Sequence, residues 1–452
     1  MSVLGFYGGV GSVTGANFLL DTGAAAFLVD CGLIQGDRFA QEANADDFLY
    51  NPADIDVLMV THAHADHIGR IPKLVRDGFT GTIYSTHPTK DLANVMLRDA
   101  HKIMQYEKER YGNELLYEAD DIDTTLRLWK TVGYDEVIDL PDDVTGYFTD
   151  AGHILGSGMV HFKRHERHIV FTGDIGNDPQ PLLNPPVPPE GYHYLVMESV
   201  YGDRQHEQVD ERTELLRFYI EDTIKKGGTL LIPAFSLERT QGMLYEINNL
   251  VEEAGMTSIP VFLDSPLAIS VTGLYKAHQD FLKDSVRAEI KAGDDIFHFP
   301  NLTFTHTRAD SAEIHKETGP KVIIAGSGMS HGGRIRDHEK RYLEDPKNTL
   351  LLVGYQSVGS VGRLLHDGAK KVNIDGQDVR VRATVARIRG YSGHADRDQL
   401  IELVAAGGAA AKQVFVTMGE ERSSLFLVQR LRDYLGLNAV APSLDEEIEI
   451  DF

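Results

Sequence analysis

Four side chains able to bind a metal ion fall within six residues: His62, His64, Asp66 and His67, in Thr61-His62-Ala63-His64-Ala65-Asp66-His67. Ligands at i, i+2, i+4 and i+5 do not follow the i, i+4 pairing of a metal-binding helix. The spacing predicts a tight loop serving two adjacent ions, with His62 and His64 toward one and Asp66 and His67 toward the other. Imidazole with carboxylate suits zinc, with manganese or iron as alternatives. Two distant residues could complete the set. His153 lies in the glycine-rich turn Asp150-Ala151-Gly152-His153-Ile154-Leu155-Gly156-Ser157-Gly158, and Asp174 ends Thr172-Gly173-Asp174. Each alone reads as a structural residue; beside the first cluster each becomes a candidate ligand, and the two oxygens of Asp174 could bridge two ions. Asp30 could orient a ligand histidine or cap a turn. His394, between Gly393 and Ala395, reads equally well as a turn histidine.

These residues need elements to hold them. Short apolar runs at Ala26–Val29, Val57–Val60, Ile169–Thr172 and Tyr194–Met197 read as strands, and each ends at or just before a polar residue: Asp30, His62, Asp174 and Glu198. Loops after strands are rigid platforms for chemistry. The ligand loop leads into a helix-like stretch, Ile68–Arg76. From about residue 208 the pattern becomes a strand–helix alternation. Strands are expected at Thr229–Pro233, Pro260–Leu263, Lys321–Ala325 and Thr349–Val353, and helices at Glu211–Lys225 and Leu237–Glu253, the pattern of a doubly wound parallel sheet. Gly326-Ser327-Gly328-Met329 follows a strand; its backbone N–H groups could cradle an anion at Ser327 and Gly328, or it is a simple turn into a helix. Ser392 could donate to a phosphate oxygen, and His331, Arg334, Arg336 and Arg363 could add positive charge. His161, His165 and His168, among Lys163, Arg164 and Arg167, read as a solvated hairpin. The early glycines Gly8, Gly9, Gly11 and Gly15 fail the GxGxxG spacing and precede a strand, which excludes a dinucleotide loop.

The whole chain sets outer bounds. Its 452 residues suggest two or three domains at roughly 100–200 residues each. No apolar run reaches the roughly 18 residues of a membrane span, and the start has no secretory pattern. A single cysteine, Cys31, excludes an internal disulfide or thiolate cluster and fits a cytoplasmic location. The net charge of −24 counts against a broadly basic nucleic-acid face, but bound cations can dominate the field inside a cleft.

Taken in order, the His62–His67 loop, His153 and Asp174 resemble the ligand motifs of the metallo-β-lactamase superfamily. The further segments Glu198-Ser199-Val200-Tyr201-Gly202-Asp203-Arg204, Gly326-Ser327-Gly328-Met329, Gly354-Tyr355-Gln356 and Ser392-Gly393-His394-Ala395-Asp396 are similar to those of its β-CASP branch, which includes the nuclease subunit of the cleavage and polyadenylation factor, RNase J and the Artemis-like DNA nucleases. The resemblance implies an α/β fold: an αββα metallo-β-lactamase domain from residues 1–205 and 380–452, with a doubly wound β-CASP domain, 206–379, inserted and the active site in the cleft between them. It implies metal ligation by His62, His64, Asp66, His67, His153 and Asp174, with Asp66, Glu198 and His394 catalytic. Glu198 would orient His394, which donates a proton to the leaving oxygen. One position departs from the pattern: Met418, in Phe415-Val416-Thr417-Met418-Gly419-Glu420, stands where RNA-cleaving relatives carry a histidine. A thioether is a poor zinc ligand, so two zinc ions are expected, the second held more weakly. The implied activity is a metal-dependent nucleic-acid phosphodiesterase acting on RNA. The rivals are an Artemis-like DNA nuclease with one firmly held metal and a weakly catalytic RNA-binding subunit. Relatives of this kind often form homodimers, which leaves the oligomeric state open, and the absence of a long apolar run predicts no membrane partner.

Overall fold

The computed structural model describes residues 1–36, 40–206, 209–252, 255–354, 356, 359–388 and 390–452. Tyr355 of the Gly354-Tyr355-Gln356 segment lies outside them. The chain forms two compact units. The first comprises Met1–Asp178, Asn184–Gln205 and His394–Phe452; the second comprises Pro179–Leu183 and His206–Gly393.

The first unit is built on two seven-stranded sheets. In one, Glu446–Ile450, Ser2–Gly8, Asn17–Asp21 and Ala26–Val29 pair antiparallel, and Val57–Met59, Thr82–Thr86 and Trp129–Val132 continue it in parallel. In the other, Ile138–Asp139, Val144–Asp150, Gly158–Arg164 and Arg167–Phe171 are antiparallel, and Tyr194–Met197, Gln413–Val416 and Ala439–Val440 follow in parallel. Phe6, Phe18, Phe27, Phe148, Phe162, Phe171 and Phe415 belong to one buried cluster with residues of both sheets. Burying each is worth about 1.5–3 kcal/mol over leaving it exposed. On the other face of the second sheet, helices Arg397–Gly407 and Glu421–Leu435 bury Leu400, Leu403, Val404, Leu427, Val428 and Leu431 against Val170, Leu195 and Val414. Strands covered on both faces must be apolar throughout, which is why Ala26–Val29 and Tyr194–Met197 read as unbroken apolar runs.

The second unit holds a six-stranded sheet in the order Leu302–Phe304, Val261–Asp264, Lys321–Ala325, Thr229–Pro233, Thr349–Leu352, Thr384–Arg387. All of its pairings are parallel. Helices such as Val209–Lys226 and Arg239–Glu252 alternate with the strands. Thr384–Arg387 pairs with Thr349–Leu352, and the second compact unit runs to Gly393, whereas the resemblance implies a boundary at 379.

Two local expectations are corrected. The stretch Ile68–Arg76 is not one helix: Ala65–Ile68 and Ile71–Arg76 are separate. Pro72 lacks the N–H that would bond back to Ile68, so the ladder must restart. Asp66 and His67 therefore stand on a short helical turn rather than in an open loop. The hairpin of Gly158–Arg164 and Arg167–Phe171 is not solvated throughout, because His161 and His168 are buried. Their rings meet at Nδ1–Nε2 3.0 Å, and Thr149 Oγ1 lies 2.9 Å from His161 Nε2.

Candidate metal and catalytic site

In each sheet of the first unit the parallel strands run the same way, so their carboxyl ends gather the polar residues that follow, the usual place for sites in such sheets. Asp30 follows Ala26–Val29, His62 follows Val57–Met59, Asp174 follows Arg167–Phe171, Glu198 follows Tyr194–Met197 and Met418 follows Gln413–Val416.

Close backbone contacts fix these ends. Ala16 N donates to Asp66 O, Cys31 N to His67 O and Leu33 N to Ala65 O, at 2.8–2.9 Å. Gly32 passes so close that a Cβ there would lie 1.5 Å from the Asp66 carbonyl oxygen. A Cβ on Gly176 would lie 1.9 Å from Gly152 O, beside the His153 turn. Ala395 N donates to Ile175 O at 2.8 Å, tying the His394 segment to that of Asp174.

One group of donors converges closely. His62 Nε2 lies 3.1 Å from His64 Nδ1, and His153 Nε2 lies 3.2 Å from the same atom. Asp174 Oδ2 is 3.5 Å from His62 Nε2 and 3.6 Å from His153 Nε2. One ligand atom from each of His62, His64, His153 and Asp174 falls within 4.8 Å of all the others, a separation that one ion can bridge. Burial, with the charge of His67 behind it, holds the His62 imidazole well below its ordinary pKa and hence neutral, the form that binds metals.

The other half is looser. His67 Nε2 is 3.4 Å from Asp174 Oδ1 and 3.9 Å from Asp66 Oδ2. Both His67 Nε2 and Asp174 Oδ1 are buried without a hydrogen-bond partner. Buried polar atoms are rarely left so, and these two converge on one point with the chemistry of metal donors, so the residues present fit a bound cation. The far side of His67 is anchored: Nδ1 lies 2.7 Å from Asp30 Oδ2, while Asp30 also accepts from Thr61 N at 2.8 Å and Thr61 Oγ1 at 2.7 Å. Asp30, 1% exposed, thus orients a histidine and fixes the start of its loop. Burial, opposed by His67, raises the Asp66 carboxyl to about 6.

Met418 belongs to the apolar cluster that contains Phe18. Its Sδ packs on Gly9, where a Cβ would come within 2.4 Å, which explains why a glycine stands in the N-terminal turn. Met418 N donates to Gly9 O at 2.6 Å. The thioether is thus spent on packing.

Glu198 and His394 form a third feature. His394 Nδ1 lies 3.2 Å from both Glu198 oxygens and 3.9 Å from Asp174 Oδ2. Glu198 is 1% exposed and accepts from Ile175 N and Val200 N. Burial disfavours a charged His394, but Glu198 and Asp174 outweigh it and push the imidazole up to about 9. Its Nδ1 is held toward the Glu198 carboxylate, as the orienting pair of a proton donor would need to be.

The expected phosphate contacts belong to the second unit. Ser327 Oγ accepts from His331 N at 3.0 Å and Gly332 N at 3.2 Å, closing its own turn, and Gly328 O accepts from Gln356 Nε2 at 3.0 Å. Arg334 is bound to Asp264, Arg336 to Asp375 and Arg363 to Asp367. Ser392, 7% exposed, lines a recess with Arg239, a residue that the sequence reading overlooked because an arginine at a helix start carries no motif.

Three family models match the chain: the metallo-beta-lactamase superfamily over residues 11–204, the Beta-Casp domain over 240–365 and the Zn-dependent metallo-hydrolase RNA specificity domain over 378–442. Ribonuclease TTHA0252 of Thermus thermophilus is 35% identical over 93% of this chain and 94% of its own. The transcription termination factors FttA of Methanosarcina mazei and Thermococcus kodakarensis are each 31% identical, over 93% and 96% of this chain and 67% and 69% of theirs. A solved protein of unknown function from Enterococcus faecalis V583 shares the fold at a TM-score of 0.58 and 12% identity, covering 99% of both chains. The chain belongs to the metallo-β-lactamase superfamily of metal-dependent hydrolases, in its β-CASP branch.

Proposed function

We propose that this protein is a metal-dependent ribonuclease that hydrolyses phosphodiester bonds in RNA. The observation that carries this reading is the gathering of His62, His64, His153 and Asp174 within 4.8 Å beside the pair of buried Glu198 and half-buried His394. The likeness to a ribonuclease over almost the whole length of both chains supports RNA as the substrate, as does the RNA specificity model over 378–442.

His62, His64, His153 and Asp174 would hold one metal ion, and Asp66, His67 and Asp174 would contribute to a second. Zinc fits this set of imidazoles and carboxylates best, with manganese and iron as alternatives. A bound ion supplies Lewis-acid stabilisation of phosphoryl charge and activates water. The protein's own residues do the rest. Asp30 fixes the tautomer and orientation of His67. Glu198 holds His394 charged and aimed, and His394, with Nδ1 committed to Glu198, gives a proton from Nε2 to the leaving oxygen. Because Met418 packs on Gly9, a second ion would have fewer side chains to hold it than the first and would bind more weakly. No helix among the described residues is long and apolar enough to cross a membrane, and the lone Cys31 is buried; we place the protein in the cytoplasm.

The direct test is cleavage of single-stranded RNA by purified protein and by its His64→Ala and Asp174→Ala variants. Both substitutions should abolish cleavage, and full activity in either variant would overturn the reading. A matched DNA strand cleaved in preference to the RNA would favour the Artemis-like alternative, for which Met418 in place of a histidine is the motive.

A further inference from the structure

Two buried arginines in the second unit differ in one respect. Arg212, 4% exposed, has its guanidinium fully used: Nε and Nη2 reach Glu246 Oε1 at 3.1 and 3.0 Å, and Nη1 donates to Gly390 O at 3.0 Å. Arg239, 8% exposed, stands at the start of helix Arg239–Glu252, and its Nε is buried with no hydrogen-bond partner. Its ion pair is with Glu238, Nη2 to Oε2 at 3.5 Å, longer than the 2.7–2.9 Å of a charge-assisted hydrogen bond. Glu238 holds this position with a backbone φ of +65°, which L-residues adopt rarely.

Both arginines line a recess whose wall includes Gln180, Tyr391 and Ser392. Arg212 braces that wall: its guanidinium lies over the Tyr391 ring at 5.2 Å, and the Tyr391 hydroxyl donates to Glu246. The pieces are those of an oxyanion site: a fork of N–H donors, largely dehydrated, incompletely paired, and set on a wall that is itself hydrogen-bonded in place. A guanidinium suits a phosphate because its planar donors match two oxygens at once. Ser392 precedes His394 by two residues, a length of chain that spans at most about 7 Å. In a chain of net charge −24, affinity for a polyanion must come from local cations such as this one rather than from the overall field.

We propose that Arg239 is a phosphate-binding residue that holds a backbone phosphodiester of the RNA strand, with Glu238 as a built-in competitor that the phosphate displaces. The inference rests on the ribonuclease reading above. The recess, not the metal cluster, then sets part of the affinity for RNA and its dependence on salt.

The test is fluorescence-anisotropy binding of a labelled single-stranded RNA with phosphorothioate linkages, which slow cleavage, to the metal-loaded protein over a range of NaCl concentrations. Arg239→Gln should weaken binding about tenfold, the loss of one charge-assisted hydrogen bond. It should also flatten the slope of log K against log salt by about 0.7, the share of one single-strand phosphate contact. Arg239→Lys should keep the slope while losing affinity, because the charge remains but the fork does not; a purely structural arginine would not split the two readouts. If the Arg239 variants do not fold, Glu238→Gln decides: removal of the competing charge should tighten binding several-fold. An unchanged affinity and slope in Arg239→Gln, or no tightening in Glu238→Gln, overturns the subsite while leaving the ribonuclease reading intact. Inorganic phosphate that binds at Arg239 without competing with the RNA also overturns it. A wild-type protein that binds no RNA refutes both.

Discussion

Each unit of this protein collects polar side chains at the carboxyl end of a parallel strand, with opposite results. In the second unit, Asp264 ends Val261–Asp264 and is fully buried. Each of its oxygens has two partners: Thr305 Oγ1 at 2.5 Å and Arg334 Nη1 at 2.7 Å on Oδ1, Ser311 Oγ at 2.6 Å and His338 Nε2 at 2.7 Å on Oδ2. In the first unit, Asp174 is 3% exposed, yet Oδ1 has no hydrogen-bond partner and its neighbours are imidazoles 3.4–3.9 Å away. The Asp264 carboxylate is saturated by these neighbours, even though His338 Nδ1, on the other side of that ring, has no hydrogen-bond partner. The Asp174 cluster is spaced for a guest. Residue type does not separate the two clusters, since both are carboxylate and histidine; what separates them is whether the carboxylate oxygens are already matched.

The comparison predicts opposite phenotypes. The largest effect is expected from His394→Ala, which should lower kcat by about 10²–10⁴ through loss of the proton donor while moving Tm less than changes at Asp264 do. A large loss of stability with kcat intact would place His394 with the structural cluster instead. Next comes Asp264→Ala. Removing the carboxylate strands the half-buried Arg334 charge and three other donors, and should cost about 3 kcal/mol by denaturant titration, with kcat of the folded fraction little changed.

The same aspartate carries a pH signature. Although burial opposes it, hydrogen bonds from His338, Ser311, Thr305 and Arg334 hold the Asp264 carboxyl far below its usual value. A folded-state pKa below the unfolded value of about 3.9 means that this stabilisation is complete above that pH and is lost as pH falls through the folded pKa. The stability gap between wild type and Asp264→Asn should therefore be constant near neutrality and shrink below about pH 4; a gap independent of pH would deny the ionised role. The smallest expected effect is a gain. Met418→His places an imidazole beside the open cluster, and elemental analysis after loading with zinc should find metal per chain rising toward two from a lower wild-type value. Unchanged content would mean that the side chain at 418 stays packed on Gly9.

Much of this was legible locally. The apolar runs Ala26–Val29, Tyr194–Met197, Thr229–Pro233 and Lys321–Ala325 are strands over the residues expected, because a strand buried on both faces must be continuously apolar. The close-set histidines His62, His64 and His67 announced themselves because six residues of chain cannot separate them. The two short helices at Ala65–Ile68 and Ile71–Arg76 were concealed by helical periodicity that continues across Pro72, and the burial of His161 and His168 by the charges around them.

The sequence by itself determined the ligand chemistry of the His62–His67 segment, the order in which His153, Asp174, Glu198 and His394 follow, and the missing imidazole at Met418. Covalent geometry and residue type are enough for that. Only the tertiary structure decided which partners each side chain has: that Asp30 anchors His67 across 37 residues, that Glu198 meets His394 across 196, that Met418 turns into the core, and that Arg212 is saturated while Arg239 is not. Those outcomes depend on which strands pair and on which donors are matched once water is excluded, and neither is encoded in spacing along the chain.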